Sequence, residues 1–133
     1  MFQNMITPVQ GGVSETELWS NQDASLDFTG EVTLSESYSN YKFIDVYFKG
    51  ATSDADSLSV SIRVLTSDMD KGSSVKCRFS LLSLISGNYY FRPYRGNPTS
   101  TDKTKMYFYD CYKWTDSSVN NGYSIPIKIV GIK

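Results

Sequence analysis

The feature that most constrains this chain is a strict alternation of apolar and polar residues that recurs along most of its length. In Ser57-Leu58-Ser59-Val60-Ser61-Ile62-Arg63-Val64 the apolar side chains fall on every second position. Successive side chains of a β-strand point to opposite faces, so this run predicts a strand with one side on a core and the other in water. Residues 41–49 put Ile44, Val46 and Phe48 on one face, and residues 75–84 align Val75, Cys77, Phe79 and Leu81 against Lys76, Arg78 and Ser80. Residues 105–112 place Met106, Phe108 and Tyr112, flanking Asp110, opposite Tyr107 and Tyr109. Tyr123, Ile125, Ile127 and Ile129 alternate near the C-terminus. Shorter candidates cover residues 17–20, 26–34 and 88–94. No long stretch carries a helical period.

Gly, Asn, Asp and Ser dominate the segments between these runs, at 35–40, 50–56, 67–74, 96–103 and 116–122. Such residues supply turns through positive φ and local side-chain caps. The sequence therefore predicts an all-β domain, an antiparallel β-sandwich or jelly roll of about eight strands. With 133 residues there is room for one good core. Residues 1–13, with Pro8 and the Gly11-Gly12 pair, read as a flexible lead, and 14–133 as the single domain. Pro126 suggests that the last strand lies at a sheet edge, since proline cannot donate to a ladder.

Composition narrows the function. There is no histidine, which excludes Ser–His and Cys–His catalysis and the common His-ligated zinc sites. Cys77 and Cys111 stand 34 positions apart, neither a disulfide framework nor a metal knuckle, and are expected to remain reduced, buried hydrophobes, with a cross-strand disulfide as the alternative. Phosphate-binding Gly-rich motifs are absent. Asp68-Met69-Asp70-Lys71-Gly72 has the opening of a calcium loop, but Ser73 and Phe79 occupy the places of its Gly and bidentate Glu, so it reads as a turn. Asp45, Asp110 and Glu31 lie in strand-like runs and could serve a glycan hydrolase only if two of them converged. The expectation is a protein that is not an enzyme and uses no cofactor or metal. A net charge of −1 with dispersed Lys and Arg argues against nucleic acid and membrane surfaces as partners. The N-terminus lacks the basic start and apolar core of a signal peptide.

What stands out is aromatic: ten Tyr, seven Phe and two Trp, 14% of the chain. Tyr89-Tyr90-Phe91-Arg92-Pro93-Tyr94-Arg95 leads towards Tyr107, Tyr109, Tyr112 and Trp114. Flat rings rimmed by hydrogen-bond donors suit sugar recognition or a protein interface, and the same rings could instead fill a packing layer or subunit contact. The candidate binding residues are Tyr89, Tyr90, Arg92, Tyr94, Arg95, Tyr107 and Tyr109. Trp19 is expected to pack.

Both ends of the chain carry a resemblance. Glu17-Leu18-Trp19-Ser20-Asn21, with Phe28 and the 41–48 strand, resembles the opening of short virion proteins from phages and prophages of Gram-positive bacteria, which commonly begin with Leu-Trp-x-Asn after a Gly-rich lead. The close, Asn120-Asn121-Gly122-Tyr123-Ser124-Ile125-Pro126-Ile127-Lys128-Ile129-Val130-Gly131-Ile132-Lys133, is similar to their terminal N-x-Y-x-I-P-x-K-I-x-G-I-K pattern. The resemblance implies a structural protein of a tailed-phage virion: a tail, baseplate or receptor-binding component, or a head decoration, assembled in the host cytoplasm. It carries no established binding residues. The expected partners are further copies of the chain, with a trimer favoured, other virion proteins and host cell-wall carbohydrate. A purely structural role is the alternative.

Overall fold

The computed structural model describes residues 14–69, 79–96 and 103–133. The alternating runs form nine strands: β1 (Glu15–Ser20), β2 (Gly30–Thr33), β3 (Phe43–Ala51), β4 (Ser59–Leu65), β5 (Phe79–Ile85), β6 (Asn88–Gly96), β7 (Lys105–Phe108), β8 (Tyr112–Lys113) and β9 (Tyr123–Ile132). A 3-10 turn (Tyr38–Asn40) and a one-turn helix α1 (Thr66–Met69) complete the described elements. The strands make two antiparallel sheets packed face to face, a β-sandwich. Sheet A runs β1-β9-β3-β4. Sheet B runs β2-β7-β6-β5, with β8 also pairing β6.

The inward residues of both sheets supply the core. Ile44, Val46, Phe48 and Ile129 from sheet A meet Leu81, Tyr94, Met106 and Phe108 from sheet B, and Leu18 joins them from β1. Phe108 holds the centre, with Phe48, Tyr94, Phe28 and Trp19 around it at ring distances of 5.6–6.3 Å. Trp19 is half-buried and packs on Phe28 and Phe108, as expected of it. Cys111 is a buried, free thiol. Residues 1–13, Cys77 and most of the acidic turn lie outside the described residues; Asp68 and Met69 belong to α1.

Four expectations need correction. Pro126 is not on an edge, because β9 lies between β1 and β3. It is tolerated there because β1 pairs β9 only as far as Lys128, while the β3 ladder steps from Tyr47–Lys128 to Phe48–Pro126 across a bulge at Ile127. The same bulge, with Ser124 at φ 49°, breaks the alternation of β9: Ser124, Ile125 and Pro126 are buried in succession and Ile127 is half-exposed. The run 105–112 divides into β7 and β8, because the backbone between them is diverted into other bonds: Tyr109 O accepts from Arg92, and Cys111 N donates to Asn121 Oδ1. Finally, the cleanest alternation in the sequence belongs to the edge strand β4, whose Val64 is buried while Val60, and Leu58 just before the strand, are exposed. Periodicity fixes which face a residue occupies, and the neighbouring layer decides whether that face is covered.

Candidate functional site

The two outer faces of the sandwich differ in chemistry. On sheet A, Asp45 is gripped by Arg63 through two bonds of 2.8 and 3.0 Å, Arg63 lies over the Phe43 ring, and Lys128 lies over Tyr47 at 4.5 Å. Rings and charges there satisfy one another. Sheet B presents rings and leucines with few charges.

The path of β6 explains how that face is built. Its inward residues, Arg92, Tyr94 and Gly96, are buried, so Tyr89, Phe91, Pro93 and Arg95 point outward. β5 lies on one flank, with Leu84 opposite Tyr89 and Leu82 opposite Phe91. β8 and β7 lie end to end on the other, with Tyr112 opposite Phe91 and Tyr107 opposite Arg95. The turn between β5 and β6 sets this register with two residues, Ser86 (φ 52°) and Gly87 (φ 80°). Positive φ at both central positions is the hairpin turn whose twist matches its strands.

One end of the face is apolar. Leu82, Tyr89 and Trp114 line an open groove of about 270 Å³. Trp114 is 68% exposed, Leu84 63%, Leu82 60% and Tyr89 51%, which is unusual for side chains of this size. Phe91 supports the groove from below, 5.5 Å from the Tyr112 ring and 6.3 Å from Trp114. The Trp114 N–H donates to Tyr89 O at 2.8 Å and pins the loop carrying the indole to β6. The other end is polar. Arg95 Nε donates to the Tyr109 hydroxyl at 2.7 Å, and its guanidinium lies 5.3 Å from the Tyr107 ring and 5.9 Å from that of Tyr109. The two tyrosines meet edge to face at 4.9 Å. This rigid cluster offers aromatic edges and a phenol beside a cation.

Of the seven candidate binding residues, Tyr89, Arg95, Tyr107 and Tyr109 share this face. Tyr90, Arg92 and Tyr94 do not. Tyr90 turns inward and packs on Tyr123 at 4.7 Å. Tyr94 is wholly buried among Phe48, Phe79 and Phe108, and its hydroxyl finds no hydrogen-bond partner among the described residues. Burial pushes its pKa well above the ordinary phenol value. Arg92, with no exposed surface, is a structural staple: it donates to the backbone carbonyls of Phe28, Tyr109, Asn121, Tyr123 and Ser124 and to Asn121 Oδ1. Burial lowers its pKa while Asp110 and Asp27 oppose the shift; the guanidinium stays charged. Asn121 completes the knot by donating to Asp110.

The alternation rule separates the two groups once it is applied to 88–96, where even-numbered residues go in. Applied to 79–85, it also places Leu82 and Leu84 outward with Ser80, although hydrophobicity alone would bury them. Phe91 follows from the same rule, whereas Tyr112, which alternation from Met106 and Phe108 would turn inward, reaches the outer face opposite Phe91 because β7 and β8 are separate strands. The carboxylates of the hydrolase alternative do not gather. Asp45 belongs to the outer side of sheet A beneath Arg63, Glu31 to β2 of sheet B, and Asp110 to the Asn121 knot. No protein-family model matches this sequence, and no curated protein matches it.

Proposed function

We propose that this chain is a binding module of a tailed-phage virion and that the outer face of sheet B is its working surface, used to adhere to carbohydrate of the Gram-positive host wall. The observation that carries the reading is the exposed Tyr89–Trp114 groove joined along one sheet to the Arg95–Tyr107–Tyr109 cluster. Flat rings can stack on the C–H faces of sugars, while the phenol and guanidinium at the far end can meet hydroxyl or anionic groups. Because Tyr89 and Tyr107 stand on paired strands, and backbone bonds tie Trp114 to Tyr89 and Tyr109 to Pro93, little ordering is needed on binding. The terminal Leu-Trp-x-Asn and I-P-x-K-I-x-G-I-K segments support the virion assignment.

A second reading has its own observation. Leu82 and Leu84 bring aliphatic surface, which sugars use poorly and protein interfaces use well, and they favour a structural decoration that buries this face against another virion protein. Sedimentation of the purified chain with host cell walls separates the two. The adhesion reading expects wild type to pellet with the walls, and both Tyr89→Ala/Trp114→Ala and Tyr107→Ala/Tyr109→Ala to lose retention while remaining folded. Retention unchanged in both variants, or none in wild type, refutes it.

A further inference from the structure

The last strand of a sheet carries a row of unpaired backbone N–H and C=O groups, and proteins guard such edges with charges, brevity or bulges. Three edges here are guarded. β1 carries Glu15 and Glu17 with a bulge at Leu18, β2 has four residues including Glu31, and β4 carries Arg63. β5 has none of these devices. Phe79-Ser80-Leu81-Leu82-Ser83-Leu84-Ile85 contains no charge, proline or glycine, and its ladder to β6 runs without a register shift. Among the described residues it pairs with β6 alone.

We propose that β5 is a self-association edge, on which β5 of a second copy of this chain pairs antiparallel about a two-fold axis at Leu82. The strand fits its own copy. In the register that pairs all seven residues, Leu82 faces its counterpart, Leu81 faces Ser83, Ser80 faces Leu84 and Phe79 faces Ile85. Leu81 and Leu84 each meet a serine, so small sits against large and no charge confronts a like charge. Backbone bonds supply the affinity, as in other strand additions, and the exposed Leu82 and Leu84 close over the outer side of the seam. Such a contact is isologous and closes at two copies. It replaces the trimer favoured from sequence with a dimer. Antiparallel partners share a face, so the two sheet B outer faces join on one side, with two Leu82–Tyr89–Trp114 grooves flanking the axis. The contact is independent of what the grooves bind, and its test contains no carbohydrate.

Light scattering of the full chain over a micromolar concentration series is expected to approach twice the 15.0 kDa chain mass. Leu82→Lys sets two ammonium groups side by side on the axis and is expected to give the single-chain mass while keeping the folded β-sheet circular-dichroism spectrum, since that side chain points outward. Cysteine variants test the register even if the lysine variant fails to fold. Under mild oxidation Leu82→Cys is expected to cross-link to its own copy above the wild-type background. Leu84→Cys is expected to cross-link only when mixed with Ser80→Cys. A single-chain mass for wild type throughout, a trimer, or a dimer whose Leu82→Cys form does not cross-link would overturn the proposal.

Discussion

Replacing Arg92 by Met tests what holds one end of the sandwich together. The guanidinium reaches five backbone carbonyls on segments that no single ladder joins: Phe28 before β2, Tyr109 after β7, Asn121 before β9, and Tyr123 and Ser124 in β9 itself. Hydrogen bonds to a charged group are worth about 1.5–3 kcal/mol each before other costs. Summed over all five they would match the whole net stability of an ordinary domain, so most of that gain is cancelled by desolvating the cation. The cost of truncation is set instead by the carbonyls left dry. At about 1–3 kcal/mol per orphaned group, with water reaching some of them, the expected loss is about 3–5 kcal/mol. Arg92→Lys keeps the charge, but three donors on one nitrogen cannot span the five acceptors, and a loss of about 2–4 kcal/mol is expected. Urea unfolding reads both variants, with the slope unchanged and the midpoint moved. An Arg92→Met protein within about 1 kcal/mol of wild type would refute the reasoning, because it would mean that those carbonyls need no buried donor.

Tyr94→Phe removes a buried hydroxyl without a partner among the described residues and is expected to stabilise the fold by about 1 kcal/mol, read by the same urea titration. The pH dependence follows from the same residue: burial raises the folded-state pKa of Tyr94, and that of the Cys111 thiol in the same direction. The unfolded chain therefore loses these protons first, so stability is full below about pH 8.5–10 and falls as pH rises beyond it. Thermal melts of wild type should decline there, with a shallower decline in Tyr94→Phe, and parallel declines would contradict the assignment. Gly131→Ala would place a Cβ 2.6–2.8 Å from the Tyr41 ring, which is buried, and is expected to cost about 1–3 kcal/mol by overpacking. An unchanged melting temperature would show that the ring can retreat.

Strand positions were legible because the runs alternate between turn-rich segments: β3 and β6 begin and end within two residues of the segments that periodicity marks. Alternation failed where the chain makes a nonlocal bond. Ser124 adopts positive φ while its carbonyl binds Arg92, a residue 32 positions away, and nothing in the local pattern around Ser124 announces that partner. Arg92 misled for a related reason. An arginine between aromatics reads as a surface cation, and only its even position among the inward residues of β6 marks it as interior. The hairpin at Ser86-Gly87 lacks the usual Asn-Gly signal, so the alignment of Leu84 with Tyr89 was hidden although both strands were visible. The outer face of sheet B was half legible: Tyr89, Arg95, Tyr107 and Tyr109 are marked by residue type, whereas Leu82 and Leu84 look like core until the sheet leaves them uncovered.

The working role of that face is tested most directly at Trp114. Trp19→Phe leaves Trp114 as the only tryptophan, and its indole is the most exposed ring of the groove. Emission of this variant is to be followed as soluble fragments of host-wall glycan are added, with iodide as the quencher. Adhesion through the groove predicts a saturable blue shift and loss of quenching, both abolished by Tyr89→Ala. Glycan binding detected by calorimetry with the Trp114 emission and its quenching unchanged would place the contact elsewhere and contradict the assignment of this face.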